Sequence, residues 1–139
     1  QFNLDEPWDS ETNKALIAQM PDFYKTPGVE EEGKTSFHVF IDESAFSNDE
    51  AFGIRAVTDG TSNTILVVEA GADKADVWTK PGGLTPNDDD PLAALGKLAN
   101  DYFLALFMDG SVHTMSKNVD PEILKALITK NGGEVVGDF

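Results

Sequence analysis

The run Asn87-Asp88-Asp89-Asp90, bracketed by Pro86 and Pro91, presents four oxygen-bearing side chains in succession. Hard cations such as calcium take several oxygens at about 2.3–2.6 Å, and clustered carboxylates with neighbouring carbonyls supply them. The spacing departs from the twelve-residue calcium loop, which alternates its ligands around a central glycine and ends on a glutamate. Asp88, Asp89 and Asp90 are thus the candidate cation ligands, with weak calcium binding as one expectation and a solvated acidic loop as the plainer one. His38 and His113 are the only histidines. Neither has a second histidine nearby to form a metal motif, so both read as packed or surface strand residues. Ser62 and Ser111 are available as nucleophiles, but no Gly-x-Ser-x-Gly elbow surrounds either, and serines at turns usually cap backbone groups. Glu69 and Asp109 could form an acid and base pair for sugar hydrolysis only if the fold brought them close. Gly82-Gly83 and Gly132-Gly133 lack the strand-to-helix setting and the lysine of a phosphate loop. Trp8, Tyr24 and Trp78 would offer stacking faces to a soluble ligand or polysaccharide if exposed, and core area if hidden.

Composition removes several chemistries. The chain has no cysteine, so disulfides, thiolate metal sites and cysteine nucleophiles are unavailable. Twenty-five acidic residues against ten basic ones give a net charge of −15, and Arg55 is the sole arginine. Such a field repels phosphate backbones and anionic headgroups, which argues against nucleic-acid binding. No apolar run approaches the roughly 20 residues that span a bilayer, so this stretch is not expected to insert into a membrane.

The elements that position these groups are legible in part. Asp9 or Ser10 caps a helix over Ser10–Met20 with Leu16, Ile17 and Met20 on one face, and Pro21 ends it. Thr35–Ile41 reads as a strand, with Phe37, Val39 and Ile41 on one side and His38 and Phe40 on the other. Residues 42–50 read as a polar loop. Asp59-Gly60 marks a turn that needs positive φ, and the β-branched run Thr64–Glu69 after it favours a buried strand. Val77–Thr79 suggests a short strand and Leu92–Leu98 a helical turn. Tyr102–Met108 and Ser111–Met115 read as a hairpin on a two-residue Asp109-Gly110 turn. Asp120-Pro121 starts a helix with Ile123, Leu124, Leu127 and Ile128 as its apolar stripe, ended at Asn131-Gly132 through a left-handed cap. The expectation is an α+β fold: one domain over residues 1–139, with a small antiparallel sheet and a C-terminal helix packed on it.

Five separated motifs carry a resemblance. They are Phe2-Asn-Leu-Asp-Glu-Pro-Trp-Asp9 with Asn13-Lys14, Asp59-Gly-Thr-Ser-Asn-Thr64, Trp78-Thr-Lys-Pro81, Phe107-Met-Asp-Gly-Ser-Val112 and Asn131-Gly-Gly-Glu-Val135. In this order they resemble the planctomycete-type domain of unknown function associated with prepilin-type processing. The resemblance implies a pilin-like or pseudopilin-like head, extracellular or at the cell surface, and non-enzymatic. It implies self-assembly, or assembly with other surface proteins, through an N-terminal hydrophobic helix ahead of Gln1, which makes this chain the C-terminal part of a longer precursor. Asp59, Gly60, Asn63, Asp109 and Gly110 would then hold turns. Members of that family often carry a histidine before the Asp-Gly pair; here Ala99 stands there, so no role for it transfers. The alternative reading is a ligand- or polysaccharide-binding module using Trp8, Tyr24 and Trp78.

Overall fold

In the computed structural model, which describes residues 1–47 and 51–133, the elements run α1 (Glu11–Lys14), β1 (Lys34–Thr35), β2 (Phe37–His38), β3 (Ile65–Glu69), β4 (Asp76–Val77), β5 (Tyr102–Phe107), β6 (Val112–Ser116) and α2 (Pro121–Ile128). Strands β2, β3, β5 and β6 form a four-stranded sheet in that order, β1 pairs with β4, and every pairing of strands is antiparallel. This is the α+β arrangement expected, with the C-terminal helix on the sheet.

Side chains alternate along β5, so Phe103, Ala105 and Phe107 are buried while Tyr102, Leu104 and Leu106 point the other way. The buried set meets Ile65, Val68 and Met115 from neighbouring strands and Leu124, Leu127 and Ile128 from α2 in one core cluster. Asp120 caps α2 by accepting from the Glu122 N–H at 2.9 Å, and Pro121 occupies its first turn, as the sequence indicates. A register shift between Ile65 and Val67 puts both Ile65 and Val68 on the core face and turns Val67 to the other. The β-branched run Thr64–Glu69 favours a buried strand; Val67 within it is only half-buried, on a sheet face that α2 does not cover.

Several local expectations are corrected. The helix over Ser10–Met20 is instead α1 plus a 3-10 turn at Ile17–Gln19. Pro21 has no N–H for the Ile17 carbonyl, and that carbonyl accepts from the Trp78 indole N–H at 3.0 Å instead. The single strand over Thr35–Ile41 breaks at Ser36, where the Thr26 and Thr35 hydroxyls take the Ser36 and Phe37 N–H groups and the chain passes from one sheet to the other. The strand expected at Val77–Thr79 lies at Asp76–Val77, and the turn near Leu92–Leu98 is a 3-10 helix over Pro91–Leu95. Helix α2 ends in extended backbone at Thr129, not in a left-handed cap at Asn131-Gly132. Of the loop expected over residues 42–50, the last three lie outside the described residues, as do Glu134 and Val135 of the final motif.

The hairpin connection is also longer than two residues. The Phe107 N–H donates to the Ser111 carbonyl at 2.8 Å and the Gly110 N–H to the Phe107 carbonyl at 3.0 Å, enclosing Met108, Asp109 and Gly110. Only Gly110 has positive φ, +88°, so the connection is a type I turn closed by a left-handed glycine, not the mirror-image turn that needs two such residues. A Cβ at Gly110 would meet nothing within 4 Å. Gly110→Ala is therefore expected to cost about 1 kcal/mol through backbone strain alone. Denaturant melts check this; an unchanged midpoint would contradict the strained geometry.

Candidate functional site

The five sequence motifs gather at two places. At one end of the sheet the two Asp-Gly turns meet: the Asp109 N–H donates to the Thr61 carbonyl at 3.1 Å and the Met108 N–H to the Thr64 carbonyl at 2.9 Å. Gly60 has φ +94°, and Asn63 Nδ2 ties back to the Asp59 carbonyl at 3.1 Å. The Asp59 carboxylate accepts from the N–H groups of Gly132 and Gly133, at 2.7 and 2.9 Å. The turn after α2 is thus clamped to the turn before β3. Lys130 adds to the clamp, with Nζ donating to the Ala45 carbonyl at 2.6 Å and lying 5.2 Å from the Phe52 ring centroid. Asp59, Gly60, Asn63, Asp109 and Gly110 all lie in this junction, where each has a turn or clamp to hold.

The same junction contains a serine beside a histidine that sequence reading missed. Ser111 Oγ lies 2.6 Å from Asp109 Oδ1 and 3.1 Å from His113 Nε2. Hydrogen bonds from the Ser111 hydroxyl and N–H hold the Asp109 carboxyl below its usual value, so it is ionised and can only accept. The single hydroxyl hydrogen of Ser111 therefore points at Asp109, and His113 Nε2 donates to the serine. His113 therefore does not accept that hydrogen, and Asp109, which does, is held below the usual carboxylate range and is a weak base, so this geometry leaves the serine unactivated. Glu69 and Asp109 lie at opposite ends of the sheet: Asp109 bonds beside Thr61, and the strand from Ile65 to Glu69 alone spans about 13 Å. That exceeds the roughly 5–9.5 Å that paired carboxylates need for glycoside hydrolysis.

His38 Nε2 lies 2.8 Å from the Lys74 carbonyl, which can only accept, so the neutral ring carries its hydrogen on Nε2. Burial holds its pKa below the usual histidine value, partly offset by that bond. The unfolded chain then binds the proton first as pH falls, so the stability due to neutral His38 is present above about 6.5 and is lost as pH drops through the folded value. An NMR titration of the His38 ring is expected to show a midpoint below that of an unfolded control; a higher one would contradict the buried neutral ring.

Asp88, Asp89 and Asp90 do not converge. Asp88 pairs with Lys125 at 3.3 Å, Asp90 caps the 3-10 helix by accepting from the Ala93 N–H, and Asp89 donates its own N–H to Asn87. Among the described residues no group of three acidic, histidine or cysteine side chains is placed to hold a metal ion.

The three nominated aromatics do converge. Trp8, Tyr24 and Trp78 line one cleft of about 380 Å³ together with Phe2 and Pro81. Trp78 is its pivot, with ring centroids 5.5 Å from Tyr24 and 5.9 Å from Phe2. The far wall is the N-terminal segment, held by Asn13, which is 2% exposed. Its Oδ1 accepts from the Asn3 N–H at 2.9 Å while Nδ2 donates to the Asn3 and Pro7 carbonyls at 3.0 and 2.9 Å. Thr79, also in the lining, has a buried Oγ1 with no hydrogen-bond partner among the described residues. All three nominated aromatics are half-buried, so they pack and still present area to the cleft.

Tyr24 also borders a second cleft, of about 460 Å³, on the sheet face opposite α2. Its lining of Phe23, Phe37, Val67, Leu104, Leu106 and Val112 is apolar, and Phe23 and Val112 are 73% and 63% exposed. No helix among the described residues is long and apolar enough to cross a membrane. A family model described as "Protein of unknown function (DUF1559)" matches residues 6–102, which takes in two of the five motifs whole and the first from Glu6 onward, and stops before the hairpin turn. No curated protein and no solved structure matches the chain.

Proposed function

We propose, for a chain that belongs to the DUF1559 family of proteins of unknown function, that it is a non-enzymatic extracellular or cell-surface assembly module, similar to a pseudopilin-like head, whose copies meet through the open face of the four-stranded sheet. The observation that carries this reading is that face itself. Val67, Leu104, Leu106 and Val112 alternate outward from strands whose other side is a packed core, and the 3-10 turn Asp22–Tyr24, whose Phe23 and Tyr24 border the same cleft, leaves them partly exposed. Contiguous apolar surface of this kind marks interaction sites in soluble proteins. The non-enzymatic part is supported by the state of the polar groups: the Ser111 hydrogen is committed to Asp109, and the Asp59 carboxylate to two backbone N–H groups.

A net charge of −15 opposes contact between copies, and salt screens that repulsion while leaving apolar burial intact. Sedimentation of the chain is expected to show association that rises with concentration and with salt. Leu106→Asp with Val112→Asp should keep it monomeric throughout. A wild type that stays monomeric at high concentration in high salt would contradict assembly through this face. A second reading, a ligand- or polysaccharide-binding module, is favoured by the convergence of Trp8, Tyr24 and Trp78 on one cleft.

A further inference from the structure

We infer, resting on the reading of this chain as an assembly module, that the free edge of β6 is a second self-association surface, where Val112–Ser116 of two copies pair antiparallel and join their four-stranded sheets into one. The open sheet face alone does not build an extended assembly. A patch that meets the same patch on a copy closes at a dimer, and growth beyond two copies needs a second contact.

The outward groups of β6 follow from its pairing with β5. The Phe107 N–H donates to the Ser111 carbonyl and the Lys117 N–H to the Asp101 carbonyl, and the register between these two bonds runs without a shift. Antiparallel bonding alternates, so His113 and Met115 bond β5 while the N–H and C=O groups of Val112 and Thr114 point away from it. Both residues are exposed, and these outward groups have no partner among the described residues. The row ends at Ser116, whose carbonyl accepts from the Val119 N–H at 3.1 Å.

Native sheets blunt such an edge with a lysine, a proline or a bulge. Residues 112–116 carry none of these, and no carboxylate either, in a chain of net charge −15. That composition selects a second copy as the occupant, because an uncharged strand pairing with its own image sets no two carboxylates opposite each other. The other edge of the sheet is already taken. Strand β2 has two residues; the Phe37 N–H goes to the Thr35 hydroxyl and, just beyond, the Val39 carbonyl accepts from the Leu84 N–H at 2.9 Å. Head-to-tail pairing of β6 with β2 is thereby blocked, and the two-fold β6 pair remains.

Sedimentation of the full chain over a range of protein and salt concentrations, with amide hydrogen exchange on the same samples, tests this pairing. The wild type should pass beyond the dimer at high salt, and the Val112 and Thr114 amides should exchange at least about tenfold more slowly in the larger species than in the monomer. Thr114→Pro removes an N–H that β5 does not use, so the variant should keep its fold and stop at the dimer. Leu106→Asp charges the open face and leaves the β6 backbone unaltered; it should also stop at a dimer, one in which the Thr114 amide is protected. Val112 belongs to both surfaces and is left intact. Larger species that persist in Thr114→Pro, or in which the Thr114 amide exchanges as in the monomer, would overturn edge pairing and leave assembly through the face standing. Should Thr114→Pro fail to fold, exchange at the wild-type amides decides. A monomeric Thr114→Pro beside a Leu106→Asp dimer with a protected Thr114 amide would support the edge and contradict the face. A wild type that is monomeric under every condition would remove both.

Discussion

Phe107→Ala is expected to lower stability by about 3–5 kcal/mol, whereas Leu106→Asp, one residue earlier in the same strand, should cost the isolated chain far less. Phe107 is fully buried between β3 and the core side chains of α2, so truncation removes apolar area and leaves a cavity the sheet cannot close. Leu106 faces the open side opposite Val112, where a carboxylate can reach water. Denaturant unfolding of both variants measures the contrast. Equal, large losses would mean that the outer face is part of the monomer's core, and would remove the basis for assembly through it.

Gly33→Ala should cost about 2–4 kcal/mol and disturb the aromatic cleft at the same time. Gly33 has φ +74°, and an added Cβ would overlap the Ile17 side chain and lie 2.9 Å from the Ile17 carbonyl oxygen. That oxygen accepts from the Trp78 indole N–H, and the Gly33 carbonyl accepts from the Trp78 backbone N–H at 3.0 Å. Moving Ile17 aside therefore loosens Trp78. The expected signature is a lower unfolding midpoint together with a red shift of tryptophan emission in the folded state. A loss of stability with unchanged emission would show that Gly33 supports the fold without holding Trp78.

What could be read from the sequence was local. Asp120-Pro121 announces a helix start because cap and proline act within one turn, and Gly60 and Gly110 announce positive φ because only glycine takes it without strain. The helix after Ser10 was overestimated because the competitor for its carbonyls, the Trp78 indole, lies 61 residues away. Likewise the bond from Asp59 to Gly132 crosses 73 residues and has no periodic signal, so Asn131-Gly132 looked like a helix cap. Trp8, Tyr24 and Trp78 stood out by type, and the fold brings them together. Thr79 and Asn13 did not: an unpaired hydroxyl and a fully engaged amide are defined only by their tertiary surroundings. The open sheet face was hidden for a similar reason, since the register shift at Leu66 is what turns Val67 outward from an apolar run.

The most direct measurement of the central claim is site-specific photo-crosslinking of the full-length protein on the cells that make it. A photoreactive side chain would replace Leu106 or Val112 on the open face and, for comparison, Glu122 on α2. Adducts at multiples of the chain's own mass from the first two positions and none from the third are the expected result. Self-adducts from Glu122 with none from Leu106 or Val112 would contradict assembly through the sheet face.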